Sequence, residues 1–401
     1  MTTERNTRIV IAGGGLAAQR CCETLRRCGH EGAVSIVCGE PVGPYDRPPL
    51  SKAVLSGELA ADAVALRPGA WYESRAIALL LGRAAVALDA EAKLVHLAGG
   101  ASLSYDRLLV ATGARPRRLE LFDGAPNVHV LRTLADAGSL RAALVPGARL
   151  IVVGAGFIGQ EVAATARGLG VEVTLLEAMD APLAGLLGHE LGTWFAGLHR
   201  DHGVDVRCGV TAAGALRDPQ GRISALVTAG GETLPCDAVV VGVGVVPADG
   251  WLAGSGIGGG GGGVECDEAG RTALPGVFAA GDVARPYDRH RSAHARSEHW
   301  EAAARQGAAA ARAMIGLAPA PSPLASFWSD QYGLRIQYLG YAQLADDVEL
   351  DGDPAARDFT AIWRRGQHPV AALLVGRPHE LPRMRGLIAQ TLEPQLQEQA
   401  S

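Results

Sequence analysis

Residues 8–18 read Arg8-Ile-Val-Ile-Ala-Gly-Gly-Gly-Leu-Ala-Ala18, and residues 149–159 read Arg149-Leu-Ile-Val-Val-Gly-Ala-Gly-Phe-Ile-Gly159. Each is a short apolar run followed by glycines at the spacing Gly-x-Gly-x-x-small. Such runs predict buried parallel strands. Behind the first, Ala17, Ala18, Cys21, Cys22, Leu25 and Cys28 repeat at helical spacing until Gly29 ends the pattern. Behind the second, Gln160–Leu169 predicts a helix stopped by Gly170. A further strand follows each helix: Ala33–Cys38 before Glu40, and Val171–Leu176 before Glu177. The chain therefore carries the same strand, turn, helix, strand unit twice.

The turn chemistry points to phosphate. The first glycine allows the tight turn, the second lets a diphosphate approach the backbone, and the third lets helix and strand pack closely. The helix N-terminus then offers amide hydrogens and the positive end of its dipole. In the first unit Ala18 takes the place of the third glycine. Glu40 lies 25 residues after Gly15 and Glu177 lies 21 after Gly156, each placed to meet a ribose hydroxyl. A carboxylate repels a 2′-phosphate, and Ala178-Met179 offers no arginine to receive one. The second unit therefore predicts NAD rather than NADP. Two units in one chain predict FAD together with a pyridine nucleotide.

Moving outward, Arg107–Thr112 and Ala238–Val246 read as buried strands, Gly254–Gly263 as a loop and Gly276–Ala280 as a short strand before Gly281-Asp282. Ser297–Met314 is an alanine-rich helix, and Pro319–Pro323 a linker. Leu334–Leu339 and Phe359–Trp363 alternate like antiparallel strands, and the tail from Leu381 reads as helical and then polar. Glycine, at 53 of 401 residues, is roughly twice its usual ~7% share. It gathers at strand ends, as backbone contact with phosphate requires.

Composition excludes several functions. A formal net charge of −5 argues against nucleic-acid binding through a global positive field. The longest uncharged stretch, Ala313–Ser329, is broken by Pro319, Pro321 and Pro323, so no membrane span is expected. Residues 1–8 carry no apolar signal region, and a cytoplasmic protein is expected. The seven cysteines form no Cys-x-x-Cys pair and no zinc spacing; His290, His294 and His299 likewise lack ligand spacing, so no metal is assigned. A cysteine-based mechanism is disfavoured. The nearest thiol, Cys38, falls at the end of the second strand.

Seven strings occur in order: Gly13-Gly-Gly-Leu-Ala17, Pro44-Tyr-Asp-Arg-Pro-Pro-Leu-Ser-Lys52, Leu109-Val-Ala-Thr-Gly113, Leu131-Arg-Thr133, Gly154-Ala-Gly-Phe-Ile-Gly-Gln-Glu161, Gly276-Val-Phe-Ala-Ala-Gly-Asp282 and Phe327-Trp-Ser-Asp-Gln331. Together they resemble the oxygenase-coupled, FAD-containing, NADH-dependent ferredoxin reductases, a branch of the glutathione-reductase-like superfamily. The resemblance spans essentially the whole chain. It implies an α/β fold with two Rossmann-like dinucleotide-binding domains and a C-terminal α+β domain. The expected limits are 1–114 and 238–318 for FAD, 115–237 for NAD and 319–401 for the last domain.

The resemblance also implies roles for matching residues. Gly13, Gly15, Leu16 and Ala17 would hold the FAD diphosphate; Gly39 and Glu40 would meet its ribose, and Ala85 its adenine. Arg47, Ala111, Thr112 and Gly113 would add contacts, as would Arg132, with Gly281 and Asp282 at the ribityl chain. Glu298 and His299 would add contacts to FAD, Trp300 would lie beside the flavin ring, and Trp328 would pack against the flavin or fill a core. Gly154, Gly156, Phe157, Ile158, Gly159, Glu177 and Gly244 would line the NADH site. Lys52, one of only two lysines, would stand near flavin N5 and pair with Glu161, orienting the nicotinamide.

The implied function is electron transfer from NADH through FAD to a 2Fe–2S ferredoxin serving a Rieske-type oxygenase or a cytochrome P450. The chain has no cysteine spacing for a cluster of its own, so the cluster belongs to the partner. Arg285, Arg289, Arg291, Arg296 and Arg335 offer a docking patch for an acidic ferredoxin, or simply a solvated surface. Other readings are a reductase of rubredoxin or another one-electron acceptor, a redox-sensing flavoprotein and a flavin-free dinucleotide binder. A monomer or a homodimer is expected.

Overall fold

The computed structural model describes residues 6–318 and 324–399, with side chains as far as residue 392. The proline stretch read as a linker lies outside these residues. In the first unit the strand Ile9–Ala12 is central. It pairs in parallel with Val34–Val37 on one side and Arg107–Val110 on the other. Ile77–Leu80 and Val277–Ala279 complete a five-stranded parallel sheet. All four residues of the central strand are buried, as a strand covered on both faces requires.

The helix Leu16–Arg27 follows the first glycine turn and buries Ala17, Ala18, Cys21, Cys22 and Leu25. A second helix, Trp300–Met314, packs on it so closely that a Cβ on Gly307 would lie 2.2 Å from the Ala17 carbonyl oxygen. The C-terminal part of the chain thereby returns to the first glycine turn.

The second unit repeats the plan. Arg149–Val153 lies between Glu172–Glu177 and Ala238–Val241, with Asp205–Cys208 and Val128–His129 at the edges. This corrects the reading of Ala238–Val246 as one strand opening the second FAD segment. Ala238–Val241 belongs to the second sheet, whereas Val245–Pro247 pairs antiparallel with Ala114–Pro116. The break falls at Gly244, whose φ of +93° turns the chain between two runs of equal hydropathy.

The last five strands form an antiparallel sheet in the order Ser326–Gln331, Leu334–Gly340, His368–Val375, Asp358–Arg365 and Asp347–Asp353. Met384, Ile388 and Leu392 of the helix Leu381–Gln399 are buried in its core. So are Leu191 and Phe195 of the helix His189–Asp201, which joins the second unit to this last sheet through one apolar cluster. No helix among the described residues is long and apolar enough to cross a membrane.

Candidate functional site

In both parallel sheets the chain leaves the central strand, adds strands on one side and then crosses to the other. Ligands bind where that order reverses, outside the carboxyl ends of the strands. The two crevices thus lie at Gly13 against Ala111 and at Gly154 against Gly242.

The first crevice has a collapsed side and an open side. Gly13 has φ +124°, and a Cβ there would lie 2.0 Å from the Ala111 carbonyl oxygen. Gly15, the N-cap of the helix Leu16–Arg27, faces open space: its Cβ would meet nothing within 4 Å. The first turn of that helix, Leu16 and Ala17, points its unpaired amides into this space. Ala18 is fully buried, so its methyl fills the position that a third glycine leaves empty. Gly281 closes the far wall, a Cβ there lying 3.3 Å from that of Ala17.

Beyond the turn, Asp282 is paired with Arg132 at 2.5 Å, and a Cβ on Gly113 would lie 3.4 Å from that guanidinium. Thr112 donates to the Ala248 carbonyl at 2.7 Å. Glu40 is engaged on both oxygens, by the Tyr45 hydroxyl at 2.7 Å and Arg47 at 2.9 Å. Arg47 also donates to the Arg132 carbonyl. Each carboxylate oxygen keeps accepting capacity for a ribose hydroxyl. Gly39 lies beside Ala84, and Ala85 opens the neighbouring strand Ala85–Asp89.

The second crevice is built alike. A Cβ on Gly154 would lie 2.5 Å from the Gly242 oxygen and one on Gly159 2.1 Å from the Gly154 oxygen, while one on Gly156 would meet nothing within 4 Å. The Gly244 carbonyl accepts from the Arg117 amide at 2.9 Å. Glu177 accepts from the Ala155 amide and the Met179 amide, both at 2.9 Å, which fixes its carboxylate at the rim. Ile158 is exposed there. The Phe157 ring packs 4.8 Å from Phe327 and 6.3 Å from Phe195, in the core shared with the last domain. The donors and open space of each crevice fit a dinucleotide: amides for a diphosphate and a carboxylate for a ribose.

Between the crevices lies a charge pair. Lys52 Nζ is 2.6 Å from Glu161 Oε2, with Glu161 4% exposed. Lys52 caps the turn Pro48–Ser51, stiffened by Pro48 and Pro49; Glu161 lies on the helix Phe157–Gly168. Two hydroxyls complete the carboxylate's shell: Ser51 donates to Oε2 at 2.5 Å and Ser329 to Oε1 at 2.6 Å. Sequence reasoning missed both serines, although both sit inside quoted strings. A period of two along Phe327–Gln331 turns Ser329 inward and Trp328 outward, and that was the available signal.

The aromatic residues fall into two groups. Trp300 donates to Asp46 at 2.6 Å and meets Trp328 edge to face at 5.8 Å, with Arg335 over Trp328 at 5.2 Å. His299 instead stacks on Phe327 at 4.5 Å, and burial lowers its pKa to about 4, so it is neutral. Glu298 pairs with Arg296 at 2.8 Å.

All seven cysteines are free. Cys38 is buried under Gly14, and burial pushes its thiol up to about 12, unsuited to nucleophilic attack. The five arginines offered as a docking patch or a solvated surface all have acidic partners. Arg285 meets Glu265, Arg289 meets Glu268, Arg291 meets Asp288, Arg296 meets Glu298 and Arg335 meets Asp330. They do not form a field of unopposed positive charge.

Two dinucleotide crevices meeting at a lysine paired with a buried glutamate define a pyridine-nucleotide oxidoreductase. Residues 7–307 match the pyridine nucleotide-disulphide oxidoreductase family and residues 326–400 the reductase C-terminal family, and the chain belongs to the first of these. It is 40% identical over 384 residues to the 5,5′-dehydrodivanillate O-demethylase ferredoxin reductase subunit of a Sphingobium species, covering 94% of this chain and 92% of that one. It is also 40% identical to the biphenyl dioxygenase system ferredoxin–NAD(+) reductase component of Paraburkholderia xenovorans, covering 86% and 84%. Its structure superposes on the reductase of the covalent putidaredoxin reductase–putidaredoxin complex with a TM-score of 0.92 and 33% identity, covering 96% and 93%.

Proposed function

We propose that this chain is an NADH-dependent ferredoxin reductase, holding FAD in the first crevice and NADH in the second and serving an oxygenase or a cytochrome P450. The observation that carries the reading is the Lys52–Glu161 pair, which joins the loop of one dinucleotide unit to the helix of the other. Bound flavin supplies the conversion this task needs, taking two electrons as hydride from reduced nicotinamide and releasing them singly.

The chain's own residues bind and orient. Gly15, Leu16 and Ala17 hold one diphosphate, and Gly156, Phe157 and Ile158 the other, through backbone amides. Asp282 and Arg132 fix the ribityl end, and Trp300 closes one edge. Lys52 presents its ammonium to the ring, and Glu161 keeps it there. Hydride transfer requires close, dry alignment rather than an acid or a base, so these groups act by placement and charge. No thiol takes part.

Cytochrome c reduction driven by NADH, with and without a set of 2Fe–2S ferredoxins, tests the reading. Strong stimulation by at least one ferredoxin is expected. Rapid NADH consumption that no ferredoxin accelerates would sink it.

Glu177 carries the nucleotide preference. Both its oxygens accept backbone amides, so its charge cannot swing away from a 2′-phosphate. Glu177→Gln removes the charge and leaves one turn amide without its acceptor. The ratio of kcat/KM for NADH over NADPH is expected to fall about tenfold or more, chiefly through weaker NADH and improved NADPH use. An unchanged ratio would assign discrimination elsewhere.

A further inference from the structure

The hydrogen bonds behind Glu161 have one possible direction, and it can be derived group by group. A carboxylate only accepts, so Ser329 spends its single proton on Glu161 Oε1. Ser329 Oγ must then accept from Gln331, whose Nε2 lies 3.1 Å away. That orients the Gln331 carbonyl oxygen toward His199 Nε2 at 3.1 Å. Gln160, whose Nε2 donates to the Ala155 carbonyl, turns its own oxygen on the same nitrogen at 3.2 Å. Two acceptors facing His199 Nε2 require a proton there. His199 Nδ1 is then the acceptor for the Tyr332 hydroxyl at 2.7 Å.

Every member but the last is closed off from water. His199 and Ser329 are fully buried, and Gln160, Gln331 and Glu161 are at most 4% exposed. Burial also lowers the His199 pKa to about 4, which keeps the ring neutral. The chain crosses domains: His199 comes from the helix His189–Asp201 of the second unit, and Ser329 and Gln331 from the last sheet. Buried networks with every member satisfied hold one geometry, because any rotation strands a desolvated donor.

We infer that His199 is a positioning residue for hydride transfer, acting through Gln331 and Ser329 to hold the Glu161 carboxylate that pairs with Lys52. The inference rests on the proposed NADH-to-flavin reaction. His199 touches neither dinucleotide crevice and acts only through the polarity it imposes.

The test uses FAD-loaded enzyme and stopped-flow flavin reduction by NADH in wild type, His199→Leu, His199→Gln, Ser329→Ala and the His199→Leu/Ser329→Ala double variant. His199→Leu and Ser329→Ala are each expected to lower the limiting reduction rate about tenfold, the scale of one hydrogen bond to a charged group. The NADH dissociation constant should move less than about twofold, which is less than 0.5 kcal/mol. The double variant should lose no more than Ser329→Ala alone, since a shared path is non-additive. His199→Gln keeps a donor toward Gln331 and should recover most of the rate. A readout independent of turnover is ¹⁵N NMR of labelled histidines, expected to find one ring protonated at Nε2 alone from pH 5 to 8.

Additive losses, equal losses in the Gln and Leu variants, an unchanged rate in either single variant or a proton on Nδ1 would each overturn the inference. If His199→Leu does not fold, Ser329→Ala, His199→Gln and the tautomer still decide it. A wild type that NADH does not reduce overturns the functional reading itself, and the inference with it.

Discussion

Gly15→Ala is expected to give a well-folded protein that binds FAD about tenfold to a hundredfold more weakly, the scale of one methyl forced into a filled site. Gly15 has φ −103°, a conformation that alanine adopts without strain, and its added Cβ meets no protein atom within 4 Å. The only thing for the methyl to displace is a ligand on the helix N-terminus. Gly13→Ala differs in kind. Its φ of +124° disfavours a side chain, and the methyl would lie 2.0 Å from the Ala111 oxygen, so stability and flavin are lost together. Gly156→Ala, also open, should weaken NADH and leave flavin in place. Flavin release followed by fluorescence, beside thermal melts of the flavin-free proteins, separates these cases. A Gly15→Ala protein that retains FAD like wild type would remove the diphosphate from this turn.

Both dinucleotide units were legible because their signals are local. A strand, a glycine turn and an apolar face at helical spacing lie within 30 residues of one another, and Leu16–Arg27 and Phe157–Gly168 formed where the periodicity expected helices. The errors came where hydropathy does not distinguish backbone fates. Ala238–Val246 is uniformly apolar, yet Gly244 divides it between two sheets. Phe157 keeps its place in the glycine motif while its ring packs on Phe327 in the core shared with the last sheet.

The polar site was harder still. The Lys52–Glu161 pair came from family resemblance, and the groups that complete it are distant in sequence. Ser51 is 110 residues from Glu161, Ser329 is 168 away, and His199 is 132 from Gln331. No pattern in one segment encodes contacts that depend on three domains meeting. The arginines offered as a docking patch or a solvated surface gave the opposite lesson. Three of the five acids that pair with them lie within five residues, and a fourth, Glu265, sits opposite Arg285 on the neighbouring strand, so composition alone overstated the local positive charge.

Lys52→Met is expected to damage the enzyme more than Glu161→Gln, although both remove the same ion pair. The asymmetry follows from burial. Without Lys52, the buried Glu161 carboxylate, 4% exposed beside it, keeps among the described residues the Ser51 and Ser329 hydroxyls for compensation. Breaking a buried pair in this way costs about 3–5 kcal/mol. Without the Glu161 charge, Lys52 is 21% exposed and reaches water, and a glutamine oxygen still accepts from one serine or the other. That loss is nearer 1–3 kcal/mol, the cost of an imperfectly paired polar group. Flavin reduction should follow the same order. Lys52→Met removes the ammonium paired with Glu161 at this junction, and a loss on the order of 10²-fold in the limiting rate is expected, as when a preorganised charge-stabilising donor is deleted. Glu161→Gln should lose about tenfold, because the ammonium stays charged but is no longer held. Thermal unfolding and stopped-flow reduction on the same preparations check both orders. Equal rates in the two variants would mean that the pair matters only as a unit, whereas a Lys52→Met enzyme faster than Glu161→Gln would remove the ammonium from the reaction and give the carboxylate a role of its own.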